Sequence, residues 1–137
     1  MNRAGAVLIA GLLLPAVTAL AQQNTGLGRY EYHARCASCH GLTGKGDGPM
    51  AKYLKHAPAD LTTLARRNGG TFPTQLVWQV IDGRPAAIGS HGSRDMPVWG
   101  QEYRTEVSRP GGPPQPESYV AGRITALIDY LSSIQAK

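Results

Sequence analysis

The sequence predicts an all-α fold, and three observations carry that expectation. Near the end of the chain Val120, Ile124, Leu127, Ile128, Leu131 and Ile134 recur every three to four residues, drawing one apolar stripe along a helix. Nowhere does the chain sustain the apolar–polar alternation of a half-buried strand. Shorter periodic stretches are cut apart by Gly and Pro, as helices joined by tight turns would be. At 137 residues the chain supports one domain, because two halves would each be too small for a core of their own.

Taken in order, the first 21 residues read as a secretory leader. Arg3 supplies the charge, residues 4–14 the apolar run, and Ala19-Leu20-Ala21 the small residues before a cut at Gln22. An uncleaved anchor is the competing reading; Gly5, Gly11 and Pro15 and the lack of flanking anchors argue against it. The expected division is therefore a signal peptide at 1–21 and one domain at 22–137, with no stable membrane insertion once the leader is removed. A first helix is expected over 27–39, with Leu27, Tyr30 and Ala34 sharing a face. The glycines of 41–49 forbid regular structure and suit close backbone approach to a bulky group. Short helices are expected at 50–55 and 61–67, and another at 75–81, stopped by Asp82-Gly83. Residues 84–115 read as mostly irregular.

The net charge of +5 is a mild basic excess. It suits docking to an acidic protein surface and argues poorly for nucleic acid, since no basic run is interleaved with aromatics. Lys52 with Lys55, and Arg66 with Arg67, read as solvated helix faces.

The chemistry concentrates in Cys36-Ala37-Ser38-Cys39-His40. A disulfide between cysteines three apart would close a tiny, strained loop. On a helical turn the same spacing sets both thiols on one face, able to reach the two vinyl groups along one haem edge, and the next residue brings an imidazole to the iron. The expected cofactor is one haem c, attached through Cys36 and Cys39, with His40 as an axial ligand. Zinc would need a second ligand pair, and His33, His56 and His91 offer none at matching spacing. A thioredoxin-type dithiol would need a preceding strand, which is missing. Gly41 to Lys45 does not make a phosphate loop, because no Ser or Thr follows Lys45.

For the other side of the iron the leading residue is Met96, in Asp95-Met96-Pro97-Val98-Trp99-Gly100. Pro97 keeps Met96 out of helical geometry, and a thioether favours the ferrous state. His91 and His56 remain as alternatives.

Together with Gly44-Lys45-Gly46-Asp47-Gly48-Pro49 and Pro58-Ala59-Asp60-Leu61-Thr62, these segments resemble a class I monohaem c-type cytochrome of the bacterial, periplasmic kind, over residues 26–135. The resemblance implies a cytochrome c fold in which N- and C-terminal helices cross, with Gly28, Tyr32 and Tyr130 at the contact. It implies that a proline carbonyl accepts the proton of the ligating histidine, with Pro58 in that role and Pro49 as runner-up. Trp78 and Ile81 would line the pocket, and Trp99 would pack near the methionine loop. The implied function is electron transfer between periplasmic redox proteins rather than catalysis. The donor or acceptor would be a redox protein, an oxidoreductase subunit or a terminal oxidase. Two other readings stay open: the haem subunit of a dehydrogenase complex, and a haem peroxidase or gas sensor in which Met96 leaves the iron and Arg94 and His91 act nearby. With a single Phe, the domain needs the haem as core filler, so the haem-free chain is expected to be largely unfolded.

Overall fold

The computed structural model describes residues 25–83, 95–106 and 111–136. The expected leader, His91 and Arg94 lie outside them. Among the described residues there are helices and turns but no strand, and no helix is long and apolar enough to cross a membrane.

Helix α1 occupies residues 25–40 and is not uniform. It is α-helical over 25–31, widens to a π turn at Tyr32–Cys36, and closes with an α turn at Ala37–His40. Two 3-10 turns follow, Ala51–Tyr53 and Leu61–Thr63, the second running into α2, Leu64–Arg67. Helices α3 (Thr74–Asp82), α4 (Trp99–Thr105) and α5 (Glu117–Ser133) complete the domain. Both α3 and α4 pack against α5 and against each other.

The core forms where these helices meet. Val120, Ile124, Leu127, Ile128 and Leu131 of α5 are buried together with Val77 and Ile81 of α3, Tyr103 of α4, and Tyr32 and Cys36 of α1. The expected stripe on the last helix is thus the face that is buried. Helix α3 ends as its sequence requires: Gly83 takes the left-handed conformation, φ 88°, and its N–H donates to Gln79 O at 3.0 Å.

Helix α1 approaches α5 through a glycine. A Cβ on Gly28 would collide with the carbonyl oxygen of Ala126 and come within 2.9 Å of Tyr130 Cβ, so only glycine allows this approach. One turn further on, the Tyr32 and Tyr130 rings stack at 5.3 Å between centroids, tilted by 46°.

Three expectations need correction. Leu27, Tyr30 and Ala34 do share a face of α1, but it is the exposed one; the buried positions are Gly28, Glu31, Tyr32, Cys36 and Ala37. Apolar spacing misleads here because the contact face is built from a glycine, a carboxylate and a tyrosine. The expected helix at 50–55 is only the 3-10 turn Ala51–Tyr53. The stretch expected to be irregular contains α4, whose buried residues are only Gly100 and Tyr103. Arg104 holds that helix in place, reaching Asp82 of α3 at 2.9 Å and Glu117 of α5 at 2.7 Å. Gly100 lets α4 sit on α3, since a Cβ there would lie 2.6 Å from the backbone oxygen of Asp82.

Candidate functional site

The end of α1 is capped by the glycine loop that follows it. Gly46 N donates to His40 O at 2.8 Å, Gly48 N to Cys39 O at 3.1 Å and Met50 N to Ser38 O at 2.9 Å. Carbonyls left unpaired at a helix C-terminus are thereby satisfied, and the Cys-X-X-Cys-His turn is fixed from behind. The hydroxyl of Tyr32, fully buried, donates to Gly41 O at 2.6 Å and ties the loop to the core. Burial holds that phenol well above its ordinary pKa.

The loop also sets the next wall. A Cβ at Gly46 would collide with Pro58 O, and Leu61 N donates to Gly44 O at 2.7 Å, so residues 58–61 run against the loop backbone. Asp60 caps the following turn by accepting from Thr62 N at 2.8 Å and Thr62 Oγ1 at 2.6 Å. Gln135 and Ala136, just past α5, clasp the same region through Leu61 O, Ala65 N and Thr62 O.

This wall supplies the partner for His40. The imidazole Nδ1 lies 3.0 Å from Ala59 O, and because a carbonyl can only accept, Nδ1 carries the proton. The expected acceptor was Pro58, with Pro49 as runner-up; the observed one is the next carbonyl along, Ala59. Burial lowers the pKa of His40, with the Ala59 hydrogen bond opposing it. In the neutral ring Nε2 is left with a free lone pair, the state a metal ligand requires.

One cavity of about 410 Å³ gathers most of the residues singled out in the sequence. Its walls are Arg35, Cys36, Ser38, Cys39 and His40 from α1, then Leu54, His56, Ala57, Pro58 and Ala59, then Asp95, Met96, Pro97 and Trp99. Its volume lies within the roughly 300–1,000 Å³ of sites that take a small molecule or cofactor. Most of these walls are apolar; Cys36, Cys39, His40 and Met96 contribute two thiols, an imidazole and a thioether, beside the His56 imidazole and the Asp95 carboxylate. Trp78 and Ile81, expected in the pocket, are not among its lining residues: Ile81 is buried in the core and Trp78 packs against that core. Helix α3 turns these side chains toward its packing partners rather than toward the cavity.

Cys36 and Cys39 are free thiols. Burial pushes the Cys36 thiol up to about 12, with Arg35 opposing the shift. Among the described residues, no three His, Cys, Asp or Glu side chains converge to hold a bare metal ion.

A buried charge network behind the cavity was missed in the sequence. Glu31 of α1 is fully buried and receives hydrogen bonds from Tyr103 Oη at 2.9 Å, from Arg35 Nε at 3.1 Å and from Arg123 of α5. Arg35 continues to Glu106 at 3.3 Å, and its guanidinium lies over the rings of Tyr103, at 5.0 Å, and Trp99, at 5.8 Å. The i, i+4 spacing of Glu31 and Arg35 was the only available clue. Comparisons of the chain with protein-family models, curated proteins and solved structures found no match.

Proposed function

We propose that the chain is an exported electron carrier, of the class I cytochrome c kind, that holds one haem covalently in this cavity. The observation that carries the reading is the convergence of Cys36, Cys39, His40 and Met96 on one largely apolar cavity, with His40 Nδ1 already committed to Ala59 O. The donor set fits the group. Each thiol can add across one vinyl, the sulfur forming a carbon–sulfur bond and the hydrogen ending on the neighbouring carbon, with no net oxidation or reduction. His40 offers Nε2, and Met96 offers a soft sulfur from a separate segment.

A bound haem iron supplies the one-electron ferric–ferrous couple. Everything else falls to the chain. Cys36 and Cys39 tether the group to the capped end of α1. The Ala59 carbonyl fixes the ring plane and tautomer of His40 and raises its basicity. Leu54, Ala57, Pro58, Pro97 and Trp99 keep water from the metal, which limits reorganisation when the charge changes. If His40 and Met96 both held the iron, no position would be left for a substrate, and the group would pass electrons instead of making bonds. Covalent attachment through reduced thiols takes place outside the bacterial cytoplasm, which agrees with the leader at 1–21 and a periplasmic location. The partners are redox proteins, with the mild basic charge favouring an acidic docking surface.

The test is to produce the chain in a host that matures c-type cytochromes. The expected product carries one haem that survives denaturation and is lost in Cys36→Ala/Cys39→Ala. The ferric protein should show a weak long-wavelength methionine-to-iron band, absent in Met96→Ala. Rapid carbon monoxide binding by the unmutated ferrous protein would overturn the carrier reading in favour of a ligand-binding haem.

A further inference from the structure

The cavity is closed on one side by the short stretch 95–98, which carries Met96. Its downstream end is built into the fold. Trp99 begins α4 and lies beneath the Arg35 guanidinium, Gly100 sits against Asp82, and Tyr103 is buried. Its upstream end is held differently. Asp95 Oδ2 lies 3.1 Å from Nδ1 of His56, a residue 39 positions away on the facing wall. The carboxylate can only accept, so Nδ1 carries the proton, and the bond forms whether or not the ring is charged. His56 belongs to the same stretch, 54–59, whose Ala59 carbonyl holds His40. One short run of backbone therefore reaches the histidine at one end and the methionine segment at the other.

We propose that His56 and Asp95 are positioning residues for Met96: their hydrogen bond fastens the methionine segment across the cavity and sets how readily the sulfur leaves the iron. This rests on the function proposed above. The pair is solvent-facing, with side-chain exposures of 64% for His56 and 25% for Asp95, so it contributes little to global stability. Its effect is local, on the population in which the segment has swung open. In the haem-loaded protein that population would admit an external ligand such as carbon monoxide, which could bind only while Met96 is disengaged.

The experiment measures carbon monoxide binding to the ferrous holoprotein, together with the ferric methionine-to-iron band. His56→Ala and Asp95→Ala should each speed binding by about two- to five-fold, the range expected for an exposed hydrogen-bonded pair. Both should weaken the band while leaving the unfolding midpoint nearly unchanged. Asp95→Ala keeps the imidazole in the wall, which separates loss of the clasp from loss of bulk. The double variant should match either single, since both changes remove the same contact. His56→Gln, which retains an N–H donor, should restore binding toward the wild-type rate. Wild-type rates in both single variants, or additive effects in the double variant, would overturn the inference. A holoprotein with no Met96-dependent band would instead overturn the carrier reading itself.

Discussion

On its α1 side the cavity is backed by buried, many-partnered contacts, whereas at the upstream end of its 95–98 side it is held by a pair of surface side chains. Behind Cys36 and His40 lie the Gly28–Ala126 approach, the Tyr32–Tyr130 stack, the Glu31 network and a loop that satisfies three helix-end carbonyls. Across from them, Asp95 is tied to exposed His56, and Trp99 to Arg35. The difference separates two tasks. The side that carries Cys36, Cys39 and His40 is set by the folding of the domain, while the methionine side can respond to single side chains without unfolding anything.

Substitutions should reveal that contrast as a gradient. The largest loss is expected for Glu31→Gln, which leaves Arg35 and Arg123 without their buried countercharge; a cost of about 3 kcal/mol should appear in denaturant unfolding. Gly28→Ala forces α1 away from the Ala126 carbonyl and should cost about 2 kcal/mol, with the midpoint shifted and the denaturant slope unchanged. Tyr32→Phe removes the shorter of the two hydrogen bonds to the buried Gly41 carbonyl, leaving Gly44 N at 3.3 Å, and should cost about 1–2 kcal/mol. On the other side of the cavity, Asp95→Ala should cost less than about 1 kcal/mol. A loss there as large as that for Tyr32→Phe would erase the distinction between the two sides.

The smallest effect concerns acid. Hydrogen bonds from Thr62, the side-chain one foremost, hold the Asp60 carboxyl below its ordinary pKa. Its contribution is therefore fully present above about pH 3.9, the unfolded value, and fades as pH falls through the depressed native value. Unfolding midpoints followed from pH 5 downward should fall more steeply in the wild-type protein than in Asp60→Asn.

How much of this could be read beforehand depended on what each feature leaves in the side-chain sequence. Helix α5 was legible because Val120, Ile124, Leu127, Ile128 and Leu131 are all apolar and all buried. The four donor residues of the site were legible because Cys, His and Met are rare and their order is informative. The buried face of α1 was not, since it works through a missing side chain at Gly28 and a carboxylate at Glu31, neither of which scores as core. Helix α4 was hidden for a similar reason: much of its hold on α3 and α5 is the ionic bridge from Arg104. The histidine's acceptor is a backbone carbonyl, and every residue has one, so Pro58 and Ala59 could be told apart only by the path of the chain. Trp78 and Ile81 read as pocket residues because they are large and apolar, a property that a core position satisfies equally well.

The π turn in α1 has a consequence for anyone who would redesign the helix. Its wider coil accommodates one more residue than an α-helical turn would, so the halves on either side of Tyr32–Cys36 are offset by one step, about 100°. Gly28 and the Cys-X-X-Cys-His turn consequently answer to separate angular references along a shared axis. Forcing 32–36 into a regular α coil without removing a residue would carry both thiols and the imidazole about 100° round the axis, out of alignment with Met96, whereas deleting one residue within 33–35 would restore α geometry with both halves still in phase. The aim of the site depends on the count of residues across the turn together with its width.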